Sequence, residues 1–146
     1  MANLKREPLW ELEEYSLKAA KEGIVLLENK TNMLPLKKGD RVSVFGRVQK
    51  EYYKSGTGSG GLVNVKYVTN IVDELKALDI VSVNPQLEAV YDQWKIDHPY
   101  DVGNGGWAQE PWCQEEMELS CELVKEARQF GDKAIVIIGR TAGEDK

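Results

Sequence analysis

The sequence is poor in several features that particular functions require. It has two cysteines and one histidine, Cys113, Cys121 and His98, which make no plausible zinc set, so we expect neither a metal nor a cofactor. No apolar run approaches the ~20 residues of a membrane span, which excludes a membrane partner. The net charge of -5 disfavours nucleic acid, because phosphate contacts need clustered Lys and Arg.

The N-terminus lacks an apolar segment resembling a secretory signal, and the cysteines do not suggest a disulfide. Cys113 and Cys121 lie eight positions apart within one predicted helix. That spacing separates them by roughly 12 Å, beyond the ~7 Å limit for a disulfide. We therefore expect reduced thiols and a cytoplasmic location.

The composition and the apolar pattern are those of a globular α/β chain. Hydrophobic residues make up 42% of the 146 residues and charged residues 29%. Apolar spacing predicts helices over residues 8–29, 68–78, 84–97 and 114–130, and strands over 41–46, 80–83 and 134–138. This alternation implies a partial, doubly wound three-layer α/β/α sandwich with a mainly parallel sheet of about three strands.

Three strands are few for a sheet, since five or six are typical. We therefore interpret residues 1–146 as a single truncated α/β-sandwich domain, one piece of a larger protein. The last strand supports this interpretation, because it leads into Gly-Arg-Thr-Ala-Gly-Glu at residues 139–144. Arg140 and Glu144 leave the carboxyl end of that strand, and ligands bind at this edge of open α/β sheets.

A glycine-rich loop follows the first strand. Its segment Gly56-Thr-Gly-Ser-Gly-Gly61 formally matches the G-x-G-x-x-G dinucleotide pattern. The pattern requires its first glycine immediately after the strand and an acidic residue about 20 positions later, and neither is present. Gly58 and Ser59 then belong either to a loop that lets backbone approach a ligand or to a flexible connector.

A second long loop, residues 99–112, is here called the tryptophan loop. It is too long and too aromatic for an ordinary connector. Trp107 could cover the apolar face of a sugar ring while nearby polar groups bind its hydroxyls: Asp101, Asn104 or Glu110. The alternative is that Trp107 and Trp112 pack on a helix or on an absent domain.

Three stretches together resemble the α/β-sandwich domain of glycoside hydrolase family 3, the β-glucosidase-like enzymes. They are Ala19-Ala-Lys-Glu-Gly-Ile-Val-Leu-Leu-Glu-Asn-Lys-Thr-Asn-Met-Leu-Pro-Leu36, Thr57-Gly-Ser-Gly60 after the first strand, and Ile135-Val-Ile-Ile-Gly-Arg-Thr-Ala-Gly-Glu144. The resemblance is to the N-terminal part of that domain, in the variants where it precedes a (β/α)8 barrel.

The resemblance implies a retaining, exo-acting glycosidase that removes terminal β-linked sugars. The barrel would supply an Asp nucleophile, and Gly143-Glu144 matches the loop that carries the acid/base Glu. Gly58, Ser59 and Arg140 match positions that border the sugar. Many relatives continue Gly-Glu-Gly, whereas Asp145 follows Glu144 here.

Further expectations follow from this interpretation. Without a partner carboxylate, the chain alone should not hydrolyse glycosides. If the glycine loop and Glu144 border one pocket, the strand order should be 2-1-3. An exposed sheet edge would invite self-association. The other functions considered are a carbohydrate-binding module without catalysis and a nucleotide-binding α/β domain.

Overall fold

A computed structural model describes residues 10–52, 67–104 and 109–140. The chain divides into two compact units, Met1–Pro35 and Leu36–Lys146. Within the parts that the structure describes, no helix is both long enough and apolar enough to span a bilayer. The two units are described separately below.

In the first unit, the described residues 10–35 contain one helix, α1, Trp10–Gly23. The predicted helix over residues 8–29 was therefore too long at its carboxyl end. Gly23 and the β-branched Ile24 and Val25 are weak helix formers. Beyond them the side chain of Asn29 binds both backbone groups of Leu34, with its Nδ2 2.8 Å from the carbonyl oxygen and its Oδ1 3.2 Å from the amide nitrogen. This local turn replaces further helix.

The second unit holds a parallel three-stranded sheet. Its strands are β1, Asp40–Phe45, β2, Val81–Val83, and β3, Lys133–Val136. The order β2-β1-β3 confirms the predicted arrangement with the first strand at the centre. Val42 pairs with Val83 on one side of β1, and Val44 pairs with Ile135 on the other.

Three helices cover the two faces of this sheet: α2, Ile71–Ala77, α3, Pro85–Asp97, and α4, Cys121–Phe130. Alternate residues of β1 point to opposite faces. Val42 and Val44 pack on one face with Val72 and Leu75 of α2. On the other face Phe45 packs with residues of α3 and α4: Leu87, Tyr91 and Ala127. The predicted three-layer α/β/α architecture is confirmed.

A buried polar bridge joins β1 to both helices on its second face. The Ser43 hydroxyl donates to the Ala127 carbonyl at 3.2 Å and accepts from Asn84 Nδ2 at 3.0 Å. The Asn84 side-chain oxygen caps α3 by accepting from the amides of Gln86 and Leu87. Asn84 and Pro85 thus begin α3 as the sequence predicts.

Helix α4 begins later than predicted. Ser120 caps it by accepting from the Leu123 amide at 3.1 Å, and residues 114–120 are not helical. Cys113 therefore lies outside the helix that begins with Cys121, and the predicted shared helix was wrong. Both cysteines are free thiols.

Gly131, which follows α4, has an extended backbone with φ at -163°. A Cβ on Gly131 would lie 2.2 Å from the carbonyl oxygen of Arg41. The close approach of β1, and not an unusual backbone angle, is what requires a glycine at this position.

Candidate functional site

The carboxyl ends of β1 and β3 lie side by side at one edge of the sheet. The Ile137 amide donates to the Phe45 carbonyl at 2.9 Å, so the pairing continues just beyond β3. The chain then leaves β1 through Gly46, whose φ is +103°. A Cβ on Gly46 would lie 2.2 Å from the Ile137 carbonyl oxygen, so both the backbone angle and the space require glycine here.

The amide of Gly46 donates to the hydroxyl of Tyr91 at 2.9 Å. Tyr91 lies on α3 and its side chain is buried, and burial raises the pKa of its hydroxyl. The hydroxyl therefore stays protonated and holds the chain where it turns out of the sheet. This fixes the backbone at the point from which the glycine-rich loop departs.

Arg47 is the most unusual residue of this edge, because only 1% of this charged residue is exposed. It opens a short 3₁₀ turn, Arg47–Gln49. Its guanidinium donates to the His98 carbonyl at 2.6 Å, to the Glu115 carbonyl at 3.3 Å and to the Glu51 carboxylate at 3.4 Å. Its amide donates to both carboxylate oxygens of Glu116, at 3.1 and 2.9 Å.

Aromatic rings surround the same guanidinium. Its central carbon lies 5.4 Å from the ring centroid of Trp94 and 6.0 Å from that of Tyr100. Trp94 also stacks on His98, with ring centroids 4.4 Å apart. These contacts place a cation against aromatic faces, where it is attracted by their quadrupoles.

The base of the tryptophan loop is closed by the side chain of Gln114. Gln114 is 5% exposed, and its amide oxygen accepts from the Asp101 amide at 2.7 Å while its nitrogen donates to the Asp101 carbonyl at 2.8 Å. The Asp101 carboxylate accepts from the Gly103 amide at 2.7 Å. Asp101, a candidate for sugar hydroxyls, therefore makes a local turn of its own loop.

The chain beyond β3 meets the end of the tryptophan loop. The Arg140 guanidinium carbon lies 4.8 Å from the ring centroid of Trp112, and Arg140 Nη1 donates to the Gly139 carbonyl at 2.8 Å. The Trp112 side chain is largely exposed. A shallow cleft of about 330 Å³ lies beside this pair, lined by Val48, Tyr52, Ile137, Ile138, Gly139 and Arg140.

Most of the predicted site residues lie outside the described residues. This applies to Glu144, Gly58, Ser59 and Trp107, so the structure places Arg140 alone of the predicted set. The segments that carry Gly58, Ser59 and Glu144 nevertheless leave from the edge just described, after β1 and after β3, whereas Trp107 belongs to the tryptophan loop between α3 and α4. Among residues 10–52, 67–104 and 109–140, no group of three His, Cys, Asp or Glu side chains could hold a metal ion.

Comparison with known proteins identifies the family. Residues 24–146 match the family model of the glycosyl hydrolase family 3 C-terminal domain. The chain belongs to this family.

Two curated relatives of this family 3 chain are named β-glucosidases. The β-glucosidase of Ruminococcus albus is 52% identical over 136 residues, which cover 91% of this chain and 14% of that protein. The β-glucosidase A of Butyrivibrio fibrisolvens is 35% identical over 132 residues, which cover 90% of this chain and 15% of that protein. The chain therefore spans about one seventh of the length of these relatives.

Solved structures of the same kind share the fold. A β-glucosidase from Paenibacillus barengoltzii superposes with a TM-score of 0.90 at 58% identity, over 96% of this chain and 15% of that one. The β-glucosidase 3B of Thermotoga neapolitana, solved in complex with α-D-glucose, superposes with a TM-score of 0.79 at 25% identity. The match covers 97% of this chain and 19% of that one.

The sequence did not point to four residues that build this edge: Arg47, Tyr91, Gln114 and Glu116. Charged and amide side chains are normally exposed, and nothing in the local pattern indicates that Arg47 is buried. One signal was available, because Arg47 follows the glycine that ends a strand, the place where ligand-edge residues occur. Tyr91 lies on the apolar spacing of the third predicted helix, and that spacing gives no sign that its hydroxyl binds Gly46.

Proposed function

We propose that this chain is part of a retaining, exo-acting β-glucosidase that hydrolyses terminal β-linked sugars. In this proposal Glu144 is the acid/base residue, and Gly58, Ser59, Arg140 and Trp107 border the sugar. The observation that carries it is the strand order β2-β1-β3, with Ile137 bonded to Phe45. That order makes the glycine-rich loop and the Glu144 loop leave the sheet from adjacent strand ends.

The chemistry requires a second carboxylate. A retaining glycosidase places its two carboxyl groups ≈ 5–5.5 Å apart, one to attack the anomeric carbon and one to protonate the leaving oxygen. Asp145 directly follows Glu144 in sequence, and neighbouring side chains of an extended loop point apart. We therefore propose that a (β/α)8 barrel of the same polypeptide supplies an Asp nucleophile, and that this chain by itself is inactive.

The acid must also keep its proton near neutral pH. Burial of Glu144 against apolar or aromatic groups of such a barrel would raise its pKa, as desolvation disfavours the carboxylate. Arg140, four residues earlier in the chain, stacks on Trp112 at 4.8 Å. This contact directs the Arg140 guanidinium toward the tryptophan loop, so we expect its charge to face the sugar and not to pair with Glu144.

The test is Glu144→Gln in the full-length enzyme. Hydrolysis of a β-linked disaccharide should fall by about 10²–10⁴-fold, because a poor leaving group needs a proton from a general acid. A dinitrophenyl β-glucoside should lose far less in its glycosylation step, since its leaving group departs without protonation. Equal losses on both substrates would contradict the acid/base role.

A matched control is Glu122→Gln, an exposed carboxylate on α4, which should leave both rates unchanged. Sugar binding that survives in Glu144→Gln would agree with lost catalysis. Wild-type protein that binds sugar without any turnover would instead favour the carbohydrate-binding module. Turnover of a nitrophenyl β-glucoside by residues 1–146 alone would contradict the proposed barrel partner.

We also propose that the isolated chain self-associates through β3. This strand lies at one end of the sheet order, and Val136 and Ile138 are 66% and 72% exposed. An exposed apolar edge strand is a template for pairing with another chain. Sedimentation of the chain should show dimers at high concentration, and a monomer at every concentration would contradict the proposal.

The cytoplasmic location stays a prediction from the sequence.

A further inference from the structure

We propose that Arg47 is a positioning residue for substrate recognition, holding the tryptophan loop against the sugar pocket. The inference rests on the proposed function, but its mechanical part can be tested without any activity. Arg47 is buried, with 1% of the residue exposed. Its guanidinium has lost its hydration, which costs free energy unless the charge is paired and fully hydrogen-bonded.

The partners of Arg47 lie at the two ends of the tryptophan loop. Its Nη2 donates to the carbonyl of His98, the residue immediately before the loop, at 2.6 Å. Its Nη1 donates to the carbonyl of Glu115, shortly after the loop, at 3.3 Å. One side chain therefore ties both ends of the loop to the carboxyl end of β1.

The shape of a guanidinium suits this task. Its planar fork presents donors in fixed directions, which a lysine ammonium cannot reproduce. Its third contact, to Glu51 at 3.4 Å, and the rings of Trp94 and Tyr100 leave it enclosed on several sides. The bonds from the Arg47 amide to Glu116 do not involve the side chain, so a substitution removes the ties to the loop and leaves this backbone contact in place.

The carboxyl-terminal end of this loop lies beside Arg140, which the proposed function places next to the sugar. Trp112 lies 4.8 Å from the guanidinium carbon of Arg140, four residues before Glu144. Trp107, the proposed sugar-stacking residue, belongs to the same loop. Loosening the loop should therefore weaken binding of the sugar while leaving the proton donor and the nucleophile in place.

The first experiment compares Arg47→Lys and Arg47→Met with wild type in the full-length enzyme. KM for a β-linked disaccharide should rise about tenfold, a change worth about 1.4 kcal/mol, while kcat changes by less than about twofold. Lysine should fail to rescue KM because it lacks the fork. A KM restored by Arg47→Lys would overturn the geometric argument.

The control separates positioning from general stability. Val72→Ala removes a buried side chain from the opposite face of the sheet, so it should lower Tm without changing KM. If the Arg47 variants lower Tm and leave KM unchanged, as Val72→Ala does, the positioning role is wrong and Arg47 is merely structural.

The second experiment needs no catalysis and uses limited chymotrypsin digestion of the same variants under native conditions, with the cut sites mapped by mass spectrometry. Cleavage within residues 99–112 should increase several-fold in Arg47→Met and stay at the wild-type rate in Val72→Ala. Equal cleavage in both variants would overturn the proposal. If the wild-type enzyme hydrolyses no glycoside, the proposed function fails, and this digestion still decides whether Arg47 holds the loop.

Discussion

The two edges of the sheet in the second unit are built in different ways. At the amino edge, the Lys37 amide donates to the Asp40 carboxylate at 2.7 Å, three residues away, and this bond lowers the pKa of Asp40. Lys133 at the start of β3 adds an ion pair with Asp40 at 3.5 Å. These strands therefore start from a local turn, an ion pair between half-buried side chains and a bond from the Gly39 amide to the Ile80 carbonyl at 2.8 Å.

At the carboxyl edge, buried polar side chains and their partners hold the chain. Gly46 and its partner Tyr91 are 45 residues apart, and Arg47 and Glu116 are 69 apart. The side chains of Tyr91 and Arg47 are polar, yet both are almost completely buried. The difference is that buried polar side chains hold the carboxyl edge, the edge where ligands bind in open α/β sheets.

The largest expected difference between the two edges is in the stability lost when a glycine of each edge is replaced by alanine. Gly46→Ala combines a φ of +103° with a Cβ 2.2 Å from the Ile137 carbonyl oxygen, so it should cost at least about 3 kcal/mol. Gly39→Ala, at the amino edge, has a φ of +90° with nothing within 4 Å of its Cβ, and should cost about 1 kcal/mol. Urea unfolding measures both, and equal losses would remove the distinction between the edges.

A smaller effect is expected at Gln114, which closes the tryptophan loop. Gln114→Ala removes two hydrogen bonds to the Asp101 backbone, at 2.7 and 2.8 Å, and should cost about 1–2 kcal/mol. Gln86→Ala, an exposed amide in the first turn of α3, should stay within about 0.5 kcal/mol of wild type. Thermal unfolding of both variants measures the difference, and a loss at Gln86 as large as at Gln114 would contradict it.

The smallest effect concerns a row of ion pairs that ends at the carboxyl edge. Glu88 lies 2.6 Å from both Lys50 and Lys76, and Lys50 lies 2.7 Å from Asp92. Lys95 continues the row from Asp92 at 3.4 Å to Glu51 at 3.6 Å, and Glu51 contacts Arg47. Burial alone would raise the pKa of Glu88, but the bonds from Lys50 and Lys76 outweigh it, and the net pKa is lowered from 4.5.

A lowered folded-state pKa gives stability that is present above the unfolded value and is lost as pH falls through the folded value. Glu88→Gln should therefore lower Tm at about pH 7 and lower it less at about pH 3, because protonation of Glu88 in wild type removes the same stabilisation as pH falls through its folded-state pKa. Glu122→Gln, an exposed carboxylate on α4, is the control. An equal Tm difference at both pH values would show that the ion pairs do not contribute.

Much of the sheet could be predicted because its signals are local. The run of residues that forms β1, the Asn84-Pro85 helix start and the apolar run in β3 each depend on neighbouring residues. The parallel 2-1-3 order followed from requiring two ligand loops at one edge. The longest errors, the carboxyl end of α1 and the start of α4, arose where weak helix formers or a capping side chain set a boundary that periodicity alone does not show.

By itself, the sequence determined the α/β class and the family resemblance, since apolar spacing and motif residues are properties of short segments. Only the tertiary structure decided which residues hold the carboxyl edge together. Arg47 is buried because carbonyl groups from His98 and Glu115 and aromatic rings from Trp94 and Tyr100 converge on it. No local pattern encodes that convergence, because the groups that replace water around the guanidinium come from distant parts of the chain.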